Sequence, residues 1–518
     1  MVNEMSRTEN SMINALTGVG GTSVKMIFRF IIQTIFVYCL GSEYVGLKGF
    51  LQNVVGFLNI TELGLGVAVV YSLYKVIADG DKPHIAAIMN LYKKLYIYIG
   101  MAVLVIAVCL SPFLHIFIKN INQFPNFWLI YALYVADTLL TYWFFSYRNA
   151  ILQADQKQYI YNLINLCVEF ATTIGQVILL YSTHSFVLFL IMGSLCKIGG
   201  NLYMKICTDR LYPFLFLKSL PEVPSKVIQS IKINVKAIVI YNGGYKINIM
   251  LDTVLISYFL DISTVGRYTN YVLIFGAFTS LLSAFFGAFT ASIGNLFIKE
   301  SPEKNEFIFR CLRIINFSMG SIIGIVTAVC LGDFITLWIG KSYCFDVYTH
   351  YFLIFNFFSS ILDFEVLQFR NAYGLFDKGK YRPLVGAFLN AGLSICLAPK
   401  FGVIGITMGT LISTYLTFWW FDSWLIYKFG FHKSVFIYYR NYIIDFIYFA
   451  IIGVGLVCFS NFTTHNISWI MLIIKGLLAV LVAFLTIILR YRHTEEFGYV
   501  IGHIKVLCKK KMQLSLRS

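Results

Sequence analysis

The sequence predicts an all-helical (all-α) integral membrane protein of about fourteen transmembrane helices, built as two parallel six-helix repeats followed by two further helices. Three observations predict it. The 518 residues are 58% hydrophobic and only 13% charged, far below the charge content of a soluble domain. Apolar stretches of about 20 residues, each long enough to cross about 30 Å of hydrocarbon, recur along the whole chain. The chain also repeats itself. Tyr147-Arg148-Asn149-Ala150, with Asp155 and Tyr159, is matched 222 residues later by Phe369-Arg370-Asn371-Ala372, with Asp377 and Tyr381. Lys119 and Lys341 keep that offset, while Tyr38 and Tyr258, Leu40 and Leu260, and Val45-Gly46 and Val265-Gly266 pair at 220. Matches in register over a whole half mark a tandem duplication, and internally duplicated membrane helices are characteristic of transporters.

In chain order, spans are expected near 13–40, 45–77, 92–114, 127–150, 159–182, 185–206, 236–260, 266–298, 311–335, 351–376, 384–400, 403–428, 443–462 and 467–489. The first carries Lys25 and Arg29 inside it and has no small-residue cleavage site, so it reads as a permanent helix and not as a signal peptide. Residues 1–206 form the first repeat and 236–428 the second, with the same orientation because six spans is an even number. A cavity is expected between them, about an axis along the membrane normal. The linker 207–235 mixes basic residues with Leu211, Tyr212, Pro213 and Phe214, which suits a cytoplasmic segment lying on the membrane. Residues 429–518 match neither repeat and hold the two extra helices and a basic tail. All loops are short, and none could house a catalytic domain outside the lipid.

The formal charge of +16 is topology, not a nucleic-acid footprint. Of the 41 Lys and Arg, about 31 fall in alternate loops and tails, which places both termini in the cytoplasm by the positive-inside rule. The eleven cysteines form no C-x-x-C pair and the eight histidines show no metal-binding spacing, so neither a metal nor another cofactor is expected. No catalytic pair emerges.

Chemistry is expected from the ionisable residues at membrane depth, where each base costs roughly 2.5–3.5 kcal/mol at a helix centre. Lys25 and Arg29 lie four residues apart on one helical face, in a stripe with Thr22 and Gln33. The seventh span carries Asn242, Lys246 and Thr253 on one stripe, with Asn248 and Asp252 beside it. Lys48 and Arg267 follow the repeated Val-Gly pairs at almost the same place in the two halves. Two readings are open for these bases. They line a water-filled cationic cavity for an anion such as a pyrophosphate, which Arg meets as a planar fork and Lys as a compact charge; or they pair with acids and fix packing. Lys197 and Lys475 favour the second reading, Lys197 by snorkelling to the cytoplasmic surface. Among the acids, Asp137, Asp252 and Asp363 are candidate sites for sodium or proton coupling, or neutralise a base. Gly20 and Gly21 in the first span and Gly243 and Gly244 in the seventh are hinge candidates, close packing being the alternative. The repeated Arg148 and Arg370 suit the cytoplasmic ends of their helices.

Two six-helix halves plus two helices, the Gly-rich first span with Lys25 and Arg29, the short Gly41-to-Gly46 link and the Leu337-Trp338-Ile339-Gly340 turn together resemble the multidrug/oligosaccharidyl-lipid/polysaccharide (MOP) exporter superfamily. Within it they look like the polysaccharide-transport branch of O-antigen and capsule repeat-unit flippases. The resemblance implies alternating-access translocation of an undecaprenyl-diphosphate-linked oligosaccharide across the bacterial inner membrane for capsule, O-antigen or exopolysaccharide synthesis. It also implies contact with membrane lipid and with a polysaccharide polymerase and its chain-length machinery. The chain further resembles the lipid II flippases, whose cavity arginines have counterparts at Arg29, Lys48 and Arg267, and whose last two helices, here 443–489, form a groove for the lipid tail. A multidrug exporter is the other reading within the superfamily, and a membrane polysaccharide polymerase is the alternative of another class.

Overall fold

The computed structural model describes residues 7–217, 220–375, 377–463, 467–503 and 505. The first six residues of the chain and the end of the basic tail, both expected in the cytoplasm, lie outside that set. The described residues form helices, turns and loops, with no strand among them. Helices α1 (Arg7–Leu58), α2 (Ile60–Ala78), α3 (Lys82–Leu110), α4 (Phe127–Trp143), α5 (Gln158–Thr183), α6 (Phe186–Leu211) and α7 (Ser225–Phe259) come first. They are followed by α8 (Ile262–Gly287), α9 (Pro302–Trp338), α10 (Val347–Ser360), α11 (Arg382–Thr414), α12 (Phe436–Thr463) and α13 (Trp469–Tyr491).

Ten helices among the described residues are long and apolar enough to cross a membrane, or eleven if the bent pair Phe127–Trp143 and Ser146–Ala154 counts as one span. The difference from fourteen has a physical source. Gly41, at φ 80°, bends α1, which thereby contains the first expected span and the start of the second. Gly402, at φ 57°, bends the helical run Arg382–Phe431, which holds the expected eleventh and twelfth spans. Left-handed φ is open to glycine at no steric cost. The seventh expected span lies in α7, which starts at Ser225 and not near 236 and mixes polar residues into its apolar stretch. The expected spans 266–298 and 351–376 each contain a short break, yet each is among the ten as one membrane-length run, Ile262–Lys299 and Val347–Ala372.

Caps fix where the chain turns. The Asp81 carboxylate accepts from the His84 N–H at 3.1 Å with Pro83 in the first turn of α3. The Asp346 carboxylate accepts from the Tyr348 and Thr349 N–H groups at 3.1 Å at the start of α10. Ser185, Ser301 and Ser468 cap α6, α9 and α13 in the same way. Each cap satisfies amide groups that a helix start leaves without partners.

By contacts the chain divides into two compact units, Met1–Thr269 with Tyr381–Gly402, and Asn270–Lys380 with Val403–Ser518. In the first, α1 packs along α5 and α7, α2 along α7, α3 on α4, and both α4 and α5 on α6. The first part of α11 joins this unit through the buried Asn390 amide, which donates to Asn248 Oδ1 of α7 at 2.5 Å. In the second unit α9 is central and packs against α10, α12 and α13. Its core is aromatic: Phe309, Phe317, Phe369, Phe431, Tyr442 and Phe449 are almost wholly buried. Lipid is as apolar as such side chains, so close packing and hydrogen bonds between helices, not removal from solvent, distinguish this core from its surroundings.

Candidate cationic site

The repeated Val-Gly pairs meet each other. A Cβ on Gly46 would lie 1.8 Å from the Ile262 carbonyl oxygen, and one on Gly266 would lie 2.1 Å from the Ser42 carbonyl oxygen. One turn further, a Cβ on Gly49 would lie 2.4 Å from Thr269 Oγ1. The Ser42 and Ser263 hydroxyls touch at 3.1 Å. The second segment of α1 and the start of α8 therefore cross in backbone contact, through residues about 220 apart in sequence. Only glycine permits this approach. The bend at Gly41 has its counterpart 220 residues on, at Asp261 between α7 and α8, where the carboxylate caps α8 by accepting from the Thr264 N–H at 2.7 Å.

Lys48 and Arg267 emerge from this crossing. Lys48 donates to Gln33 Oε1 at 3.1 Å, and its ammonium sits over the Phe36 ring at 4.6 Å and the Phe189 ring at 5.6 Å. Gln33 belongs to the Lys25–Arg29 stripe, so the two segments of α1 are tied across the Gly41 bend. Arg267 donates to Thr264 Oγ1 at 3.1 Å. Lys246 of α7 donates to the Gly56 carbonyl at 3.2 Å. Nearby, the Asn53 amide bridges α1 and α7 by donating to Thr253 Oγ1 at 3.2 Å.

Lys25 is half-buried and Arg29 exposed on the first segment of α1. Neither they nor Lys48 form an ion pair with a described residue. All five bases belong to the first unit. Phe36 and Phe189 as a seat for Lys48 escape sequence reading, because a cation–π contact between residues 141 apart leaves no local signal.

The candidate acids separate. Asp137 is held by Lys197, whose ammonium reaches Asp137 Oδ2 at 3.0 Å and its carbonyl at 2.7 Å. Lys197 thus pairs with an acid on a partly exposed face, in line with the packing role expected for it. Asp252 is buried and accepts from the Tyr268 hydroxyl at 3.0 Å. Asp363 stands in the break between α10 and Phe364–Ala372, with Oδ1 buried and unpartnered. Its neighbour Glu365 is fully buried and accepts from the Asn316 amide at 2.7 Å.

The hinge glycines sit in regular helix. Gly20 and Gly21 continue α1, and Gly243 and Gly244 continue α7. A Cβ on Gly244 would lie 2.6 Å from the Leu384 nitrogen, so this glycine serves close packing of α7 on α11. Within α1 and α11 the non-helical turns are at Gly41 and Gly402, where φ is positive. Arg148 and Arg370 are also more than surface charges. Both are buried, and each meets an aspartate: Asp209 at 2.9 Å and Asp422 at 3.0 Å.

The sequence matches no protein-family model and no curated protein. Solved structures do match. A lipid II flippase MurJ in an inward closed conformation is similar at TM-score 0.62 and 12% identity, over 92% of this chain and 99% of that one. An inward-facing multidrug resistance MATE family transporter of the MOP superfamily is similar at TM-score 0.55 and 12% identity, over 85% and 96% of the two chains. The Vibrio cholerae MATE transporter VcmN is similar at TM-score 0.51 and 14% identity, over 83% and 98%. At such identities the likeness speaks to architecture. The chain is a multi-pass membrane protein with the fold shared by the flippase MurJ and the MATE transporters of the MOP superfamily.

Proposed function

We propose that this chain is a flippase of the polysaccharide-transport branch of the MOP superfamily. It carries an undecaprenyl-diphosphate-linked oligosaccharide repeat unit outward across a bacterial inner membrane by alternating access, with both termini in the cytoplasm. The observation that carries this reading is the set Lys25, Arg29 and Lys48, three bases within membrane-spanning helix that form no ion pair with a described residue. Charge left open at that depth is expensive in lipid and supports a water-filled cavity waiting for an anion. A pyrophosphate diester brings about two negative charges and the oxygen geometry that an Arg fork reads. Arg267 and Lys246 complete the cationic set from α8 and α7.

Moving that charge outward against an inside-negative potential is favourable by roughly 4–5 kcal/mol per 100 mV if the full field is crossed. Of the three candidate coupling acids, Asp363 is the one with a buried, unpartnered carboxylate oxygen among the described residues, so a proton or sodium ion coupled to resetting is assigned there first. A polymerase with its chain-length machinery would receive the product at the outer leaflet.

A second reading is lipid II as substrate, the lipid named for the similar flippase MurJ. Complementation separates the two. Expression in a strain lacking its capsule or O-antigen flippase should restore surface polymer, and expression in a strain depleted of its lipid II flippase should not restore growth. In the first strain Arg29→Ala and Arg267→Ala should abolish polymer while the protein remains in the membrane, and Arg→Lys at either site should retain part of the activity. Full polymer synthesis by both alanine variants would overturn the cationic-cavity reading.

A further inference from the structure

The turn that leads into α12 carries a pocket lined by none of the five bases of the candidate cationic site. Trp424, Lys428, His432, Lys433, Ser434 and Phe436 line a cavity of about 460 Å³, within the range of about 300–1,000 Å³ usual for small-molecule sites. His432 adopts φ 55°, a left-handed conformation that reverses the chain, and the Lys433 N–H closes the turn on the Tyr427 carbonyl at 3.1 Å. The reversal brings Lys428 and Lys433, from either side of the turn, to one pocket. Lys433 is paired with Glu306 at 2.5 Å. Lys428 is exposed, lies over the Trp424 ring at 4.6 Å and over Phe429 at 5.6 Å, and forms no ion pair with a described residue. A further exposed ammonium, Lys378, sits 3.0 Å from the centre of the same Phe429 ring. Two like charges gathered on one aromatic ring leave an excess of positive charge that an anion would relieve. The rim continues into Phe436, 76% exposed, and Ile437, 60% exposed. Bases in a pocket beside outward-facing apolar side chains match a phosphate with acyl chains attached better than a soluble anion.

We propose that this pocket binds the phosphate headgroup of an anionic phospholipid of the leaflet that carries the basic loops. The site is independent of the transported substrate, and so is its test. The purified full-length chain is titrated in detergent with phosphatidylglycerol and, separately, with phosphatidylcholine, and bound lipid is counted by native mass spectrometry. Phosphatidylglycerol should be retained over phosphatidylcholine, and Lys428→Gln and Lys433→Gln should each weaken its retention by about five-fold, the worth of one lysine near an anionic surface. Lys428→Arg should keep it. Unchanged phosphatidylcholine retention reports that the variants are folded. The native fold gives a second readout in vesicles: brominated phosphatidylglycerol should quench tryptophan fluorescence more than brominated phosphatidylcholine, and Trp424→Phe should remove the difference. Equal retention of the two lipids, unaltered retention by the double lysine variant, or a quenching difference that survives Trp424→Phe would each overturn the proposal. So would displacement of the lipid by inorganic phosphate at matched concentration, which would make the ligand a soluble anion.

Discussion

In the first unit Lys25, Arg29 and Lys48 lie within membrane-spanning helix without an ion pair among the described residues; in the second, Arg313, Arg370, Lys475 and Arg490 each meet a carboxylate. The second unit's most buried example is the Asp445 carboxylate, wholly enclosed, which takes Arg313 on one oxygen and Arg490 at 2.7 Å on the other. The residue types are the same and the helices are similarly apolar, yet the charges do different work. Neutralised bases tie α9 to α12 and α13 and make one body of the second unit. In the first unit Lys48 is instead held by the Gln33 amide oxygen and two aromatic rings, and Lys25 and Arg29 have no carboxylate among the described residues; these are the bases proposed above to meet an anionic ligand.

The largest expected effect breaks the comparison on its structural side. Asp445→Ala leaves two cations without their carboxylate and should cost about 3–5 kcal/mol, read as loss of monodisperse protein and a lower thermal transition in detergent. Survival of this variant with unaltered stability would mean that the second unit's pairs are not what holds it.

Next comes the helix crossing in the first unit. Gly46→Ala puts a methyl group against the Ile262 carbonyl, which is backbone and cannot rotate away. It should destabilise by about 1–3 kcal/mol, and Gly266→Ala should do the same from the other side. Gly20→Ala, where a Cβ meets nothing within 4 Å, is the control, and thermal unfolding in detergent compares the three.

Arg29→Ala and Lys25→Ala sharpen the functional side. Since these side chains have no ion pair to lose, stability should move by no more than about 0.5 kcal/mol while transport falls. A stability loss comparable to that of Asp445→Ala would turn them into structural charges.

The smallest effect belongs to the Lys475–Asp333 pair, 2.6 Å apart. Replacing both partners by apolar residues, Lys475→Met with Asp333→Leu, should leave stability nearly unchanged, whereas Asp333→Leu alone should destabilise measurably, because an unpaired buried base is the costly state. The same detergent unfolding assay reads both.

The membrane helices were legible in the sequence, because they rest on a local signal, apolar stretches of fixed length; loop charges and residue pairs at constant offset are local signals of the same kind. Val45-Gly46 and Val265-Gly266 stood out as repeated sequence, and Lys25 with Arg29 as a stripe on one helical face. Partners were not legible. That Asp137 takes Lys197, that Arg148 and Arg370 are buried against aspartates 61 and 52 residues away, and that Lys48 rests on Phe189 depend on which helices pack together. The two non-helical turns inside helices, at Gly41 and Gly402, were not legible either, for a related reason. A glycine inside a hydrogen-bonded helix, such as Gly20 or Gly244, keeps helical φ and ψ unless packing forces it out, so its presence announces permission to bend and not a bend. Sequence determined what each helix could be, since length, polarity and periodicity are properties of a segment. Tertiary structure alone decided which charges are neutralised and which stay open, because an ion pair or a glycine crossing is a property of two segments brought within a few ångströms.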